Sequence, residues 1–308
     1  MTEITKEAST AAVGALEREK RLEGITITTY RRRVRPSDVI SYILLILFIT
    51  FMFIPILLMI SMSLRPTAMI YADFWGLPIP PYFKNYAITL FELLPPLGRT
   101  LTVYAVGIVG ILFFASIAAF AFARMRFPGS EALFYLMVLV VMMIPGVVVL
   151  TPHFVLATRF GLKGKLWGLA VTYIMGGQAF AIFLISTFFC SQPEEIFESA
   201  RVDGANDWQT LWSIAMPLAR PILVTLAIMN FLGIFGDLIW PSLMLRAENK
   251  TLMVALLNYN PLVEGELARP RLGPITAAYV FSSIPPLILF IIGMRYYIAG
   301  LTSGAIKA

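Results

Sequence analysis

Six long apolar stretches constrain this chain more than any other feature, at about 39–64, 98–123, 131–156, 166–190, 221–245 and 274–299. About 20 residues of α-helix cross a hydrocarbon core, and each stretch reaches that length. Inside lipid every backbone amide needs a partner within the protein, so only helices and closed barrels can span. Runs this long without period-two alternation specify helices. The expected fold is all-α and integral to a membrane, with six transmembrane helices over 39–299 between an N-terminal tail, 1–38, and a C-terminal tail, 300–308. Hydrophobic residues make up 58% of the chain and charged residues 14%, against roughly 45–50% and about 25% in soluble domains. That balance excludes a water-soluble globule.

Charge sets the expected orientation. Arg31, Arg32, Arg33 and Arg35 precede the first stretch, and Arg65 is the near cation beyond it. Cations favour the cytoplasmic side, which places the amino terminus there and, after six spans, the carboxyl terminus as well. No small-residue cleavage site follows the first stretch, so it reads as a retained span and not a signal peptide. The tail's "LEREKRLEG" reads as a short surface helix and "YRRRVR" as a membrane-proximal basic cluster. Pro55, Pro145, Pro285 and Pro286 fall within spans and read as kinks. Two outer connections result, 65–97 and 246–273, both suited to facing a docking partner or substrate.

The third long connection, 191–220, lies on the cytoplasmic side of this topology. Its Glu194, Glu195, Glu198, Arg201, Asp203 and Asp207 would each cost about 2.5–3.5 kcal/mol at a bilayer centre, so the segment lies in water or against protein. Ser191 with Glu194 has the spacing of a capping box, Pro193 suits a first turn, and Gly204 after Asp203 supplies a stop. Ile196 and Ala200 share one face of this expected helix, with Phe197 beside them. A second helix is expected from a cap at Asn206 or Asp207, with Trp208, Leu211, Trp212 and Ala215 on one stripe.

Along this loop run a glutamate, two small residues, three positions, a glycine, nine positions, an isoleucine, one position, an apolar residue and a proline: Glu198, Ser199, Ala200, Gly204, Ile214, Met216 and Pro217. The pattern resembles the EAA loop of ABC importer permeases, with Ser199 for the usual alanine and Met216 for the usual leucine. "AAFAFARMRFPGSEALF", "MIPGVVVLTPHFVLATRFGLKGKLWGLA" and the ending "YIAGLTSGAIKA" resemble the binding-protein-dependent carbohydrate group, and its MalG-like subunits in particular. The resemblance covers nearly everything from residue 39 onward. It implies a bacterial inner-membrane permease working by alternating access. The implied coupling residues, which dock on an ATPase, are Glu198, Ser199, Ala200, Asp203, Gly204, Ile214 and Pro217. The implied partners are a second, related permease subunit, a dimer of ATP-binding subunits and an extracytoplasmic solute-binding protein. ATP and Mg would be bound by the ATP-binding subunits, with no cofactor in this chain.

Other classes fit less well. No GxxxxGK[ST] loop is present, so nucleotide is expected to bind elsewhere. A gradient-driven carrier and a passive channel are the competing classes, but span interiors almost free of ionisable residues give a carrier little with which to couple ions. One histidine, His153, and one cysteine, Cys190, argue against a multi-ligand metal site and an internal disulfide. The formal charge of +6 is read as orienting the spans, because no basic stretch interleaved with aromatics suggests nucleic acid. Asn230, Gly233 and Asp237 recur at spacings of three and four on the fifth span, and Tyr173 and Gln178 lie on the fourth; these are the candidate solute-path residues. The competing reading is that Asn230 and Gln178 bond neighbouring helices and the glycines permit close packing. Trp240 reads as an interfacial anchor. A disaccharide, an oligosaccharide, a uronate and a polyol phosphate all remain open as the solute.

Overall fold

The computed structural model describes residues 36–125, 127–257, 259 and 270–305, and among them every regular element is helical. The surface helix and basic cluster expected in the tail lie outside the described residues, as do residues 306–308. The described residues fall into two compact units, one up to residue 55 and the other from residue 56 onward. In the first unit, α1 (Pro36–Ser63) begins, and every side chain from Val39 to Pro55 is exposed. The helix continues through Pro55 into the second unit.

Within the second unit the polypeptide runs through α2 (Thr67–Ala72), α3 (Lys84–Arg124), α4 (Ser130–Met143) and α5 (Gly146–Arg159). It continues through α6 (Leu166–Cys190), α7 (Glu194–Val202), α8 (Asp207–Leu218) and α9 (Arg220–Gly236). Last come α10 (Ile239–Met244), α11 (Leu252–Leu257) and α12 (Leu272–Ala305). Among the described residues four helices are long and apolar enough to cross a membrane, and up to six spans result if each bent pair counts as one. Those pairs are α4 with α5, bent by 105°, and α8 with α9, bent by 74°.

Three differences from the sequence reading have physical causes. The segment 65–97 is not an open connection, because α3 starts at Lys84 and carries Pro95 and Pro96 within it. The chain between α1 and α3 is tied down by buried Arg65, which donates to the carbonyls of Met69 (3.0 Å) and Asp73 (2.6 Å). Asn85 donates in turn to the carbonyls of Ser63 and Arg65, each at 2.9 Å. Second, the stretch 131–156 is broken outright at Ile144 and Pro145, where extended backbone replaces the kink expected from a single proline. Third, the stretch 221–245 stops at Asp237, which leaves helical geometry at φ −70°, ψ 123°.

Helices α3 and α6 interlock. A Cβ on Gly110 of α3 would lie 2.4 Å from Ile174 Cδ1 of α6, and one on Gly177 of α6 would lie 2.7 Å from Ile111 Cδ1 of α3. Each helix thus offers a glycine hollow to an isoleucine of the other, the close approach that small residues permit between membrane helices.

Candidate functional site

At one end of α3 and α6 the loop 191–220 folds into the expected two-helix shelf. Phe197 of α7, and Leu211 and Ala215 of α8, are buried in one cluster with Phe120 of α3 and Phe189 of α6, and Ala200 of α7 is buried as well. Phe197 is 1% exposed whereas Ile196 is 37% exposed, so the inward face lies one residue further along than the sequence pattern suggested. On α8 the expected stripe holds for Leu211 and Ala215, with Trp212 half-buried against the same cluster, while Trp208 is exposed; residues 211–215 are wound as a π-helical turn, which shifts the facing positions.

The termini of the shelf differ from one another. Asn206 caps α8 with a complete capping box, its side chain accepting from the Gln209 N–H while the Gln209 side chain accepts from the Asn206 N–H, both at 2.9 Å. The box expected at Ser191 and Glu194 does not form. The Ser191 hydroxyl donates to the Phe188 carbonyl (2.8 Å), and Pro193 stands at the start of α7 with no side-chain cap. Glu194 is instead drawn into an ion pair with Arg124 and accepts from Arg201 at 3.2 Å. Gly204 has φ +82°, the left-handed backbone that ends α7 and that glycine adopts without steric cost.

Arg124, the last residue of α3, fastens this shelf. Its side chain is 6% exposed, pairs with Glu194, and donates to the carbonyls of Phe189 and Gln192 (2.9 Å for the latter). Its guanidinium carbon stands 3.8 Å from the centroid of the Phe197 ring, a cation–π contact. One fork thus joins α3, the end of α6 and the start of α7, which suits arginine's planar set of donors. A polar hollow of about 1240 Å³ opens beside it, edged by Glu131, Glu194, Glu198, Arg201 and Asp207. Glu198, Ser199, Asp203, Gly204 and Pro217 are exposed, Ala200 faces inward, and Ile214 packs against the cluster.

A second cavity, of about 520 Å³, lies among α3, α5, α6, α9 and α10. It is lined by Ile111, Gly146, His153, Thr172, Tyr173, Gly176, Asn230, Gly233 and Trp240, among others. The break after α9 builds its polar wall. Asp237 accepts from the Tyr173 hydroxyl at 2.8 Å and from the Trp240 backbone N–H at 3.2 Å. The indole N–H of Trp240 donates to the Thr172 hydroxyl at 2.8 Å, and that hydroxyl donates to the Leu169 carbonyl at 2.7 Å. His153 lies on the Trp240 ring, centroids 4.7 Å apart and planes 23° apart.

A family model described as "Binding-protein-dependent transport system inner membrane component" matches residues 111–303. The chain belongs to that family. This transport-system component is 30% identical over 288 residues to the maltose/maltodextrin transport system permease protein MalG of Escherichia coli, covering 87% of this chain and 95% of MalG. It is 26% identical over 272 residues to the diacetylchitobiose uptake system permease protein NgcG of Streptomyces coelicolor, covering 87% and 88%. Among solved structures it superposes, at a TM-score of 0.75 and 26% identity, on a chain of a bacterial ABC transporter involved in the import of the acidic polysaccharide alginate. That match covers 87% of this chain and 99% of the other.

The transport-system component brings together only part of what its sequence suggested. Tyr173, Asn230 and Gly233 line the cavity. Asp237 stands behind Tyr173 as its acceptor, past the end of α9 and off the face shared by Asn230 and Gly233. Gln178 does not line the cavity; its amide donates to the Ile174 carbonyl one turn back. Gly233 has no atom within 4 Å of a Cβ position, so close packing is not its role. Trp240, read as an interfacial anchor, is 7% exposed and part of the core around Val103 and Leu169, because the break at Asp237 folds α10 inward. Sequence reasoning missed Thr172 and the involvement of His153. The signal for the latter was an isolated histidine on an apolar helix.

Proposed function

We propose that this component is one of two unlike permease subunits of an ATP-driven importer of sugars or oligosaccharides, working by alternating access. An extracytoplasmic solute-binding protein delivers solute, and a pair of ATP-binding subunits, which hold ATP and Mg, drives the cycle. Both termini face the cytoplasm. The family membership supports the transport role, and the sugar class follows from the relatives that carry maltodextrin, diacetylchitobiose and alginate.

The observation that carries the coupling reading is the shelf itself: α7 exposes Glu198 and Ser199 outward while Phe197 roots it in the ends of α3 and α6 and Ala200 is buried beside it. Glu198, Ser199, Ala200, Asp203, Gly204, Ile214 and Pro217 form or shape the docking face, and its acidic edge suits a cationic groove on an ATP-binding subunit. Tyr173, Asn230 and Gly233 lie on the solute path, and Asp237 holds Tyr173 in place. Gln178 has no contact with that path.

A single-cysteine cross-link tests the docking face. Cys190, the sole cysteine, is replaced by serine, and Val202, 85% exposed on α7, by cysteine. Val202→Cys is expected to cross-link to an ATP-binding subunit in membranes. Labelling of that cysteine from the external side, or recovery of the chain from detergent without any ATPase, would overturn the reading.

A further inference from the structure

The cavity among α3, α5, α6, α9 and α10 has more recognition chemistry than its sequence candidates explain. Three of its glycines, Gly146, Gly176 and Gly233, have nothing within 4 Å of a Cβ position. They leave space in the cavity and are not contacts between helices. At about 520 Å³ the space falls within the roughly 300–1,000 Å³ of small-molecule sites. Its walls are mostly apolar, with a few polar groups held in fixed positions, the usual composition of such sites.

Those polar groups are partly committed and partly spare. Trp240 is immobilised twice, by its indole N–H on Thr172 and by its backbone N–H on Asp237. It therefore supports the His153 ring stacked on it in one orientation. His153 makes no hydrogen bond to any described residue, so both ring nitrogens remain for a ligand. Asn230 spends its amide N–H on the Leu226 carbonyl at 2.9 Å and keeps its side-chain oxygen spare. A pyranose presents an apolar C–H face and a rim of hydroxyls. An aromatic ring covers the first, and a spare imidazole nitrogen and amide oxygen bond the second.

We propose that this subunit carries a sugar subsite of its own, in which the His153–Trp240 stack is platform and hydroxyl partner for one sugar ring in the space left by Gly146, Gly176 and Gly233. The inference rests on the reading of the chain as a sugar-importer subunit. Thr172 and Asp237 act as positioning residues behind the stack, while His153 and Asn230 touch the solute.

The test uses the complete importer, with both permeases, the ATP-binding subunits and the solute-binding protein, in proteoliposomes. Radiolabelled diacetylchitobiose, maltose and an alginate oligosaccharide are the probes, and the readout is sugar moved per ATP hydrolysed. His153→Ala should lower that ratio about fivefold, the effect of one hydrogen bond of ordinary strength. His153→Gln, which keeps a donor and an acceptor, should recover at least half of the loss. Gly233→Val, whose Cβ meets nothing within 4 Å in the protein, should lower the ratio on its own and keeps the test available if the histidine variant fails to assemble. An unchanged ratio in either His153→Ala or Gly233→Val, or equal loss in His153→Ala and His153→Gln, overturns the subsite while leaving the importer reading intact. Uptake of a non-carbohydrate solute by the wild-type complex, with none of the three sugars taken up, overturns both.

Discussion

The shelf at 191–220 and the cavity among α3, α5, α6, α9 and α10 are built on opposite principles. The shelf is held by charge: one buried arginine gathers a carboxylate, two carbonyls and an aromatic face at the junction of three helices. The cavity is held by a chain of mainly neutral hydrogen bonds and a stacked ring pair, and is widened by residues that have no side chain. On the proposed coupling role, a loop that transmits force needs fixed roots, and arginine's fork supplies several at once. On the proposed solute-path role, a chamber needs volume and a few directed donors, because a buried charge there would bind too selectively and cost too much to leave unpaired.

Five substitutions sharpen this contrast, and they fall in order of size. Arg124→Ala removes the root of the shelf, and two lost charge-assisted hydrogen bonds to carbonyls predict a stability loss of about 3 kcal/mol or more, seen as a lowered midpoint in detergent thermal melts. Arg124→Lys keeps the charge without the fork and should fall between it and wild type. Thr172→Val leaves the Trp240 N–H buried without its acceptor, at about 1–3 kcal/mol in the same assay, and should also alter the fluorescence of that indole. Asn206→Ala deletes a formed cap and should cost about 1 kcal/mol. Ser191→Ala should change stability by less than about 0.5 kcal/mol, since its hydroxyl merely returns to its own helix. A Ser191→Ala loss equal to that of Asn206→Ala would restore the capping box that the spacing suggested and remove Glu194 from the arginine's grip.

How much of each region was legible follows from the same contrast. The shelf's existence, its second cap at Asn206 and its stop at Gly204 could be read from local rules, because caps and left-handed turns depend on residues a few positions apart. The failure at Ser191 came from a partner 70 residues away: Arg124 competes for the Glu194 carboxylate more strongly than a backbone amide does. The cavity was legible only in fragments. Tyr173, Asn230 and Gly233 were found from polarity within apolar runs, whereas Gln178 has the same polarity and turns back on its own helix. Trp240 was misread because nothing local announces that Asp237 ends α9 and redirects the chain inward. His153 drew attention only as a lone metal ligand without companions, yet its neighbour across the fold is an indole.

The interlock of Gly110 with Ile174 and of Ile111 with Gly177 has a mechanical meaning for both regions. Two helices keyed at adjacent positions of α3 and successive turns of α6 resist sliding along their common axis, so they travel as a single beam. The keyed turns lie beside Thr172 and Tyr173, and from Thr172 to the foot of α6 at Cys190 is about 27 Å at the ordinary helical rise. A tilt imposed at that foot therefore swings the far wall of the chamber rather than being absorbed by slippage on the way.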